Sequence, residues 1–310
     1  MMFPKSVVPK APPIKTQGIK TKLTPMIAAS IRWDGQGRWI EPFIGSGAVA
    51  LNLAPRRALL ADTNKHLINF YKGVQSGAIT GDSARRFLEI EGQRLLEVGE
   101  DHFYFIRERF NNEGSPLDFL FLSRACFNGV MRFNSKGRFN VPFCRKPERF
   151  RQALITKIAN QIDWAASVMK GKDWEFVVQS WQETIEAAQR GDMIYCDPPY
   201  VGRHTDYYNG FTDEEADAMA LALINCDADF ALSMWLENKY RKNEYLARWF
   251  AGYPMETTSH FYHVGSSEEL RNEMTEALVV SHGAAVIEKV ELTPSVSDLP
   301  LFQSTESLNV

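Results

Sequence analysis

RWIEPFIGSGAVA, residues 38–50, is a β-type run from Arg38 to Pro42 that breaks into the turn Gly45-Ser46-Gly47 and restarts as a helix at Ala48. Glycine at 45 and 47 lets the backbone approach a ligand more closely than any residue with a Cβ could. The next apolar strand, Ala58 to Ala61, ends in Asp62, and an acid there can accept both ribose hydroxyls of an adenosyl group. Taken alone the pattern is ambiguous. Gly45-x-Gly47-x-x-Ala50 also satisfies the loose dinucleotide fingerprint, so an NAD-dependent oxidoreductase competes, as does a glycine turn with no ligand.

Working outward, a helix is expected from about Asn64 to Gln75 and further helices over Asp82 to Arg109 and Pro116 to Cys126. From Phe127 to Phe150 the chain is crowded with Asn, Gly, Arg and Phe, which suits an exposed hairpin or structured loop. Then come a helix at Arg151 to Met169, a strand at Glu175 to Val178, a helix at Gln182 to Gln189 and a buried-type strand at Asp192 to Cys196. The last third gives helices at Asp213 to Asn225 and Asn243 to Phe250, and strands at Phe230 to Ser233, Thr257 to Tyr262 and Ala277 to Ser281. Strands and helices alternating at these lengths predict a mainly parallel, doubly wound sheet with ligands at the carboxyl ends of its strands. No internal repeat is visible. The Pro- and Lys-rich residues 1–13 and the Ser- and Pro-rich residues 293–310 are expected to be loosely ordered tails.

With 310 residues, 45% hydrophobic and 24% charged, the chain can bury a large core without staples. No apolar run approaches the roughly 18 residues of a membrane span. Met1 to Pro13 lacks the apolar stretch of a signal peptide, so the cytoplasm is the expected location. Cys126, Cys144, Cys196 and Cys226 lie far apart with no C-x-x-C pair, which argues against a zinc site or a disulfide framework; no metal is expected. The formal charge of -3 hides a segregation: Arg124 to Lys172 holds eleven Lys and Arg against Glu148 and Asp163, a local +9 that leaves -12 elsewhere. Such a segment suits contact with nucleic-acid phosphates, a solvated basic surface being the plain alternative.

Asp197-Pro198-Pro199-Tyr200 ends the strand that reaches Cys196, so these four residues fall on the ligand-binding edge of the sheet. Their types suit methyl transfer to an aromatic amino group. The nitrogen lone pair is delocalised into the ring, so a catalyst must stabilise the pyramidal, developing-cation form. A carboxylate on one N–H and a rigid backbone carbonyl on the other do so, and two prolines hold that carbonyl in place. Tyr200 can stack on the base, worth roughly 1 to 3 kcal/mol. Inside a duplex the amino group is out of reach, so the base would have to flip out.

With both motifs in place, the sequence resembles the Dam-type, alpha-class DNA adenine methyltransferases, whose order is an N-terminal lysine motif, P-F-x-G-x-G, a recognition insertion and D-P-P-Y. The resemblance runs from about Lys15 to Val280 and is dense at Gly18-Ile-Lys20, at Glu41 to Gly47 with Ala61 to Asn64, at Arg124 to Phe143, and at Asp192 to Tyr200. It implies a Rossmann-like, doubly wound mixed sheet of the class I methyltransferase type, divided into residues 14–75 and 173–292 around a helical and hairpin DNA-recognition insertion at 76–172. It implies S-adenosylmethionine as cofactor, held by Lys20, Glu41, Pro42, Phe43, Gly45, Gly47, Asp62, Asn64 and Asp197, with Ser180 and Trp181 at the adenosyl ring. Ser180 stands where the family often has Asp, and Trp181 is equally readable as a core residue.

The insertion resembles the family's DNA-reading hairpin. Lys15 and Arg132 fall where relatives contact guanine, Val130 and Pro142 where apolar groups meet a thymine methyl, and Asn128 where the extruded base leaves a gap. Arg124, Asn134, Lys136, Arg138 and Arg145 complete the implied DNA contacts. Cys144 and Lys146 depart from the family's glycine and aromatic residue, which affects the far end of the hairpin. A GATC-like target, a monomeric enzyme and a restriction endonuclease as functional partner are the further expectations. Cytosine-directed relatives usually carry Ser, and protein- or RNA-directed ones Asn, at the position of Asp197. A catalytically silent DNA-binding protein conflicts with two complete motifs.

Overall fold

In this computed structural model, which describes residues 8–16, 18–199, 211–238, 243–261 and 273–286, the strands are β1 (Trp39–Glu41), β2 (Arg57–Asp62), β3 (Asp173–Val178), β4 (Met193–Cys196), β5 (Asp229–Asn238), β6 (Met255–Phe261) and β7 (Glu273–Val280). They form one sheet in the order β3-β2-β1-β4-β5-β7-β6. The first five run parallel, whereas β7 is antiparallel to both β5 and β6. Helices α1 (Thr24–Ser30), α2 (Ala48–Leu53), α3 (Lys65–Ser76), α4 (Gly81–Val98), α5 (Glu100–Glu113), α6 (Pro116–Ala125), α7 (Gln152–Met169), α8 (Trp181–Glu186), α9 (Asp213–Asn225) and α10 (Glu244–Trp249) cover its faces.

Successive strand residues point to opposite faces, and this alternation sorts the core into two layers. Trp39, Leu60, Met193 and Tyr195 join the cluster that α2, α3 and the insertion helices bury. Ile40, Leu59, Ile194 and Cys196 join the other, completed by residues of α8, α9 and α10 such as Ile185, Met219 and Leu246. Burial on both faces explains why β4 reads as an unbroken apolar run. β1 and β4 pair in the register Ile40↔Ile194. Below that pair, Arg38 holds Asp192 through Nε at 3.1 Å and Nη2 at 2.7 Å. The Arg38 backbone N–H adds a 2.6 Å bond to the same carboxylate.

The insertion does not form a core of its own. Phe110, Phe119, Phe121 and Phe150 belong to the cluster that contains Trp39 and Tyr71. Buried charge inside it is paired: Arg109 reaches Asp118 at 2.9 and 2.5 Å and Glu91 at 3.1 Å, and Glu91 also meets His102 at 2.9 Å. The 127–150 segment is a short hairpin closed by the bridges Cys126↔Phe143 and Phe133↔Phe139. Expected to be exposed, it buries Phe133, Phe139 and Phe143, and Phe133 stacks on His66 of α3 at 5.5 Å.

Three further expectations are corrected. Residues 8–13 do not behave as a loose tail: the Lys10 N–H and C=O both bond the Asn52 side chain, and the Ala11 carbonyl accepts from Gln161. α1, which the sequence did not suggest, is seven residues long, too short for a 3.6-residue period to declare itself. β5 and β7 are longer than their apolar cores because antiparallel pairing carries the ladder into polar sequence. The expected tail at 293–310 lies outside the described residues.

Phe139→Ala should cost about 3 to 5 kcal/mol, as truncation of a fully buried aromatic does, and loosen the hairpin it anchors. Urea unfolding against the parent chain measures this, and a loss below 1 kcal/mol would show that the hairpin is not anchored there.

Candidate active site

β1 and β4 are neighbours, but the chain leaves β1 toward β2 on one side and reaches β4 only after β3. Strand order therefore reverses between them, and in sheets of this kind the crevice above such a point takes the ligand. Glu41 ends β1 and Asp197 follows β4, so one register carries both to the same rim.

The glycine turn is built from several sides. Gly45 and Gly47 adopt φ of 49° and 69°, the left-handed region that a Cβ disfavours. A Cβ on Gly47 would also meet the Tyr71 ring at 3.3 Å. Tyr71, from α3, donates its hydroxyl to the Ser46 carbonyl. The Ile44 N–H bonds the Ala61 carbonyl at 2.9 Å, tying the turn to β2. Asp62 accepts from the N–H of Gly45 at 3.2 Å and of Asn64 at 2.9 Å, one bond to each oxygen. Burial raises the Asp62 pKa, and those two N–H bonds oppose the rise. Each oxygen keeps a lone pair for a further donor, so the carboxylate fits a ligand diol.

Opposite the turn, Lys20 Nζ lies 2.8 Å from Asp197 Oδ1 and donates to the Gly18 carbonyl at 3.0 Å. Lys20 is only 4% exposed, so its ammonium is committed to this rim. Burial raises the Asp197 pKa to about 6; the Lys20 charge and its hydrogen bond hold it down, while Glu276 of β7 pushes it up. Glu41 is 2% exposed and accepts from Trp39 Nε1 at 2.7 Å. Burial raises its pKa to about 8 against the Trp39 bond, with the Asp197 charge adding to the rise. At neutral pH the rim thus carries an ionised Asp197, a protonated Glu41 and the Lys20 cation.

The structure brings together Lys20, Glu41, Pro42, Phe43, Gly45, Gly47, Asp62 and Asp197, with Pro198 and Pro199, on this one edge. Tyr200 lies outside the described residues. Asn64 and Ser180 have structural work: each caps a helix, Asn64 accepting from His66 and Leu67 of α3, Ser180 from Glu183 of α8. Trp181 is 7% exposed and packs with Ile40 and Ile194, the core alternative of its two. Sequence reasoning missed Trp39, Tyr71 and Glu276, and also Phe211, whose ring meets Phe43 edge-on at 6.0 Å. None of these carries a motif.

Among the expected DNA contacts, Asn128, Lys136, Pro142 and Arg145 are exposed on the hairpin, and Val130 and Arg132 are half-buried. Asn140 accepts from Arg132 Nε at 3.1 Å. Asn134 uses its side-chain oxygen on the N–H groups of Lys136 and Arg138, and Arg138 pairs with Glu108 at 2.6 Å. Arg124 turns its guanidinium inward, to the Pro13 carbonyl and the Gln161 side chain.

A family model of D12 class N6 adenine-specific DNA methyltransferases matches residues 17–265. A DNA adenine methylase of Serratia marcescens is 37% identical over 170 residues, 52% of this chain and 57% of the relative. A DNA adenine methylase of Haemophilus influenzae is 32% identical over 251 residues, 77% of this chain and 82% of the relative. The Type II methyltransferase M.FokI of Planomicrobium okeanokoites is 26% identical over 254 residues, 79% and 39% respectively. The chain thus spans less than two thirds of the Serratia relative.

Glu41→Gln keeps an acceptor for Trp39 and removes the ionisation. The folded-state pKa is raised, to about 8, so the stability Glu41 contributes is present below its ordinary 4.5 and lost as pH rises through 8. The variant should therefore gain melting temperature relative to the parent between pH 5 and pH 9; a difference independent of pH would refute the shift.

Proposed function

The chain belongs to the D12 class of N6 adenine-specific DNA methyltransferases, and from that membership we propose that it methylates the exocyclic amino group of adenine in double-stranded DNA, using S-adenosylmethionine. The observation that carries the proposal is the pairing of the glycine turn and Asp62 with a Lys20-held Asp197 across the β1/β4 switch point. When bound, S-adenosylmethionine supplies an electrophilic methyl group. The glycine turn leaves room for its methionine part, and the spare Asp62 lone pairs suit its ribose. Lys20 orients the Asp197 carboxylate and keeps it ionised despite burial.

Asp197 then accepts one N–H of the flipped adenine and stabilises the charge that develops on nitrogen. The backbone carbonyl beside Pro198 and Pro199 takes the other N–H, fixed by the two rings. Tyr200 stacks on the base, and extrusion costs a few kcal/mol that binding must supply. Displacement is direct, with no covalent enzyme intermediate. On the DNA side Asn140 aims Arg132 at guanine, Val130 and Pro142 meet a thymine methyl, Asn128 fills the gap, and Lys136 and Arg145 take phosphates. The target is GATC-like, the enzyme acts as a cytoplasmic monomer, and a restriction endonuclease is its candidate partner. The oxidoreductase alternative gives no role to D-P-P-Y or to the basic hairpin.

Methylation-aware sequencing of DNA from cells expressing the chain should return methylated adenine in one sequence context; unmodified DNA would overturn the proposal. Asp197→Ala should lower methyl transfer roughly 100-fold to 1000-fold or more while cofactor binding persists in calorimetry. The parent's kcat/KM should fall as pH drops through about 6, where Asp197 protonates. In Lys20→Met that acid limb should move to higher pH, because the charge that holds the Asp197 pKa down is gone; an unmoved limb would remove Lys20 from this role.

A further inference from the structure

Residues 11–15 cross α6 and α7 as a strap that precedes the segment matched by the family model. Gln161 on α7 donates to the Ala11 carbonyl at 3.0 Å, and its side-chain oxygen accepts from Arg124 at 3.0 Å. Arg124 in turn donates to the Pro13 carbonyl. The strap therefore places Lys15 at the base of the hairpin, where its side-chain stem lies beside Gly129. The charges of two more cations reach Lys15. Lys157 is exposed one turn before Gln161 on α7, and Arg149 comes from the turn Pro147–Phe150 with its Nε buried and unpartnered. Among the described residues none of Lys15, Arg149 and Lys157 makes an ion pair. Burial lowers the Lys15 pKa, and the charges of Arg124, Arg149 and Lys157 lower it further.

Like charges gathered from four separate elements repel, so the arrangement is unfavourable until an anion sits among them. The cluster lies at the foot of the hairpin, and on the DNA-methyltransferase reading the anion available there is a backbone phosphate. We infer that Arg149 and Lys157, beside the strapped Lys15, form a phosphate-binding subsite that grips the duplex backbone next to the base-reading hairpin. This rests on the DNA-methyltransferase reading above. Arg124 serves the subsite from below, as the residue that holds the strap in place.

Fluorescence anisotropy with two duplexes, the one the enzyme methylates and an unrelated one, over a range of salt concentrations tests the inference. Lys157→Gln and Arg149→Gln should each reduce the slope of log affinity against log salt by about 0.9, the change expected for one lost phosphate contact. The preference between the two duplexes should stay as in the parent, and Lys157→Arg should restore the slope, which a merely structural role would not do. An unchanged slope in Lys157→Gln, at an exposed position where folding is not at risk, overturns the inference and leaves the DNA reading standing. Loss of duplex preference also overturns it, by placing these residues on base edges. A parent chain that binds no duplex at all removes the DNA reading itself, and this subsite with it.

Discussion

The parallel pairing of β1 with β4 is the constraint from which the rest follows. These strands are far apart in sequence, and their junction is secured by the Ile40↔Ile194 register and by the Arg38–Asp192 clamp beneath it. The approach there is tight: a Cβ on Gly37 would lie 2.1 Å from the Gly191 carbonyl oxygen, so only glycine fits. Were the pairing to slip by one residue, every side chain of β4 would change faces and Asp197 would leave the rim shared with Glu41 and the glycine turn.

That rim concentrates carboxylates where water is scarce, and its chemistry depends on how their charge is balanced. Lys20 neutralises Asp197 directly, whereas Glu41 is met by neutral N–H donors, the Trp39 indole among them, and its burial makes it hold its proton. Two acids side by side thus adopt opposite states at neutral pH because their partners differ. Ionising Glu41 as well would add a further buried negative charge beside Asp197, whose own charge Glu276 already disfavours.

The basic hairpin is anchored because three of its aromatic residues are not on its surface. Phe133, Phe139 and Phe143 sink into the cluster shared with the sheet, leaving the polar and cationic side chains outside. Orientation of the hairpin is thereby fixed by the same core that fixes the rim carrying Asp197. The strap of residues 11–15 adds a second tie, through α6 and α7.

By itself the sequence determined the strand-turn-helix around Gly45 and Gly47, the acid at the end of β2, the D-P-P-Y edge and the basic insertion. Each is a local pattern whose residue types are dictated by backbone geometry or by the chemistry of one site. Only the tertiary structure decided how Lys20, Trp39, Tyr71, Phe211 and Glu276 serve those motifs, since their roles come from through-space contacts between distant segments. It also turned Arg124 inward, gave Asn64 and Ser180 to helix caps, and seated Trp181 in the core. A side chain's donors and charge can be read from its name, but the partner that uses them is set by packing, and packing has no local pattern in the chain.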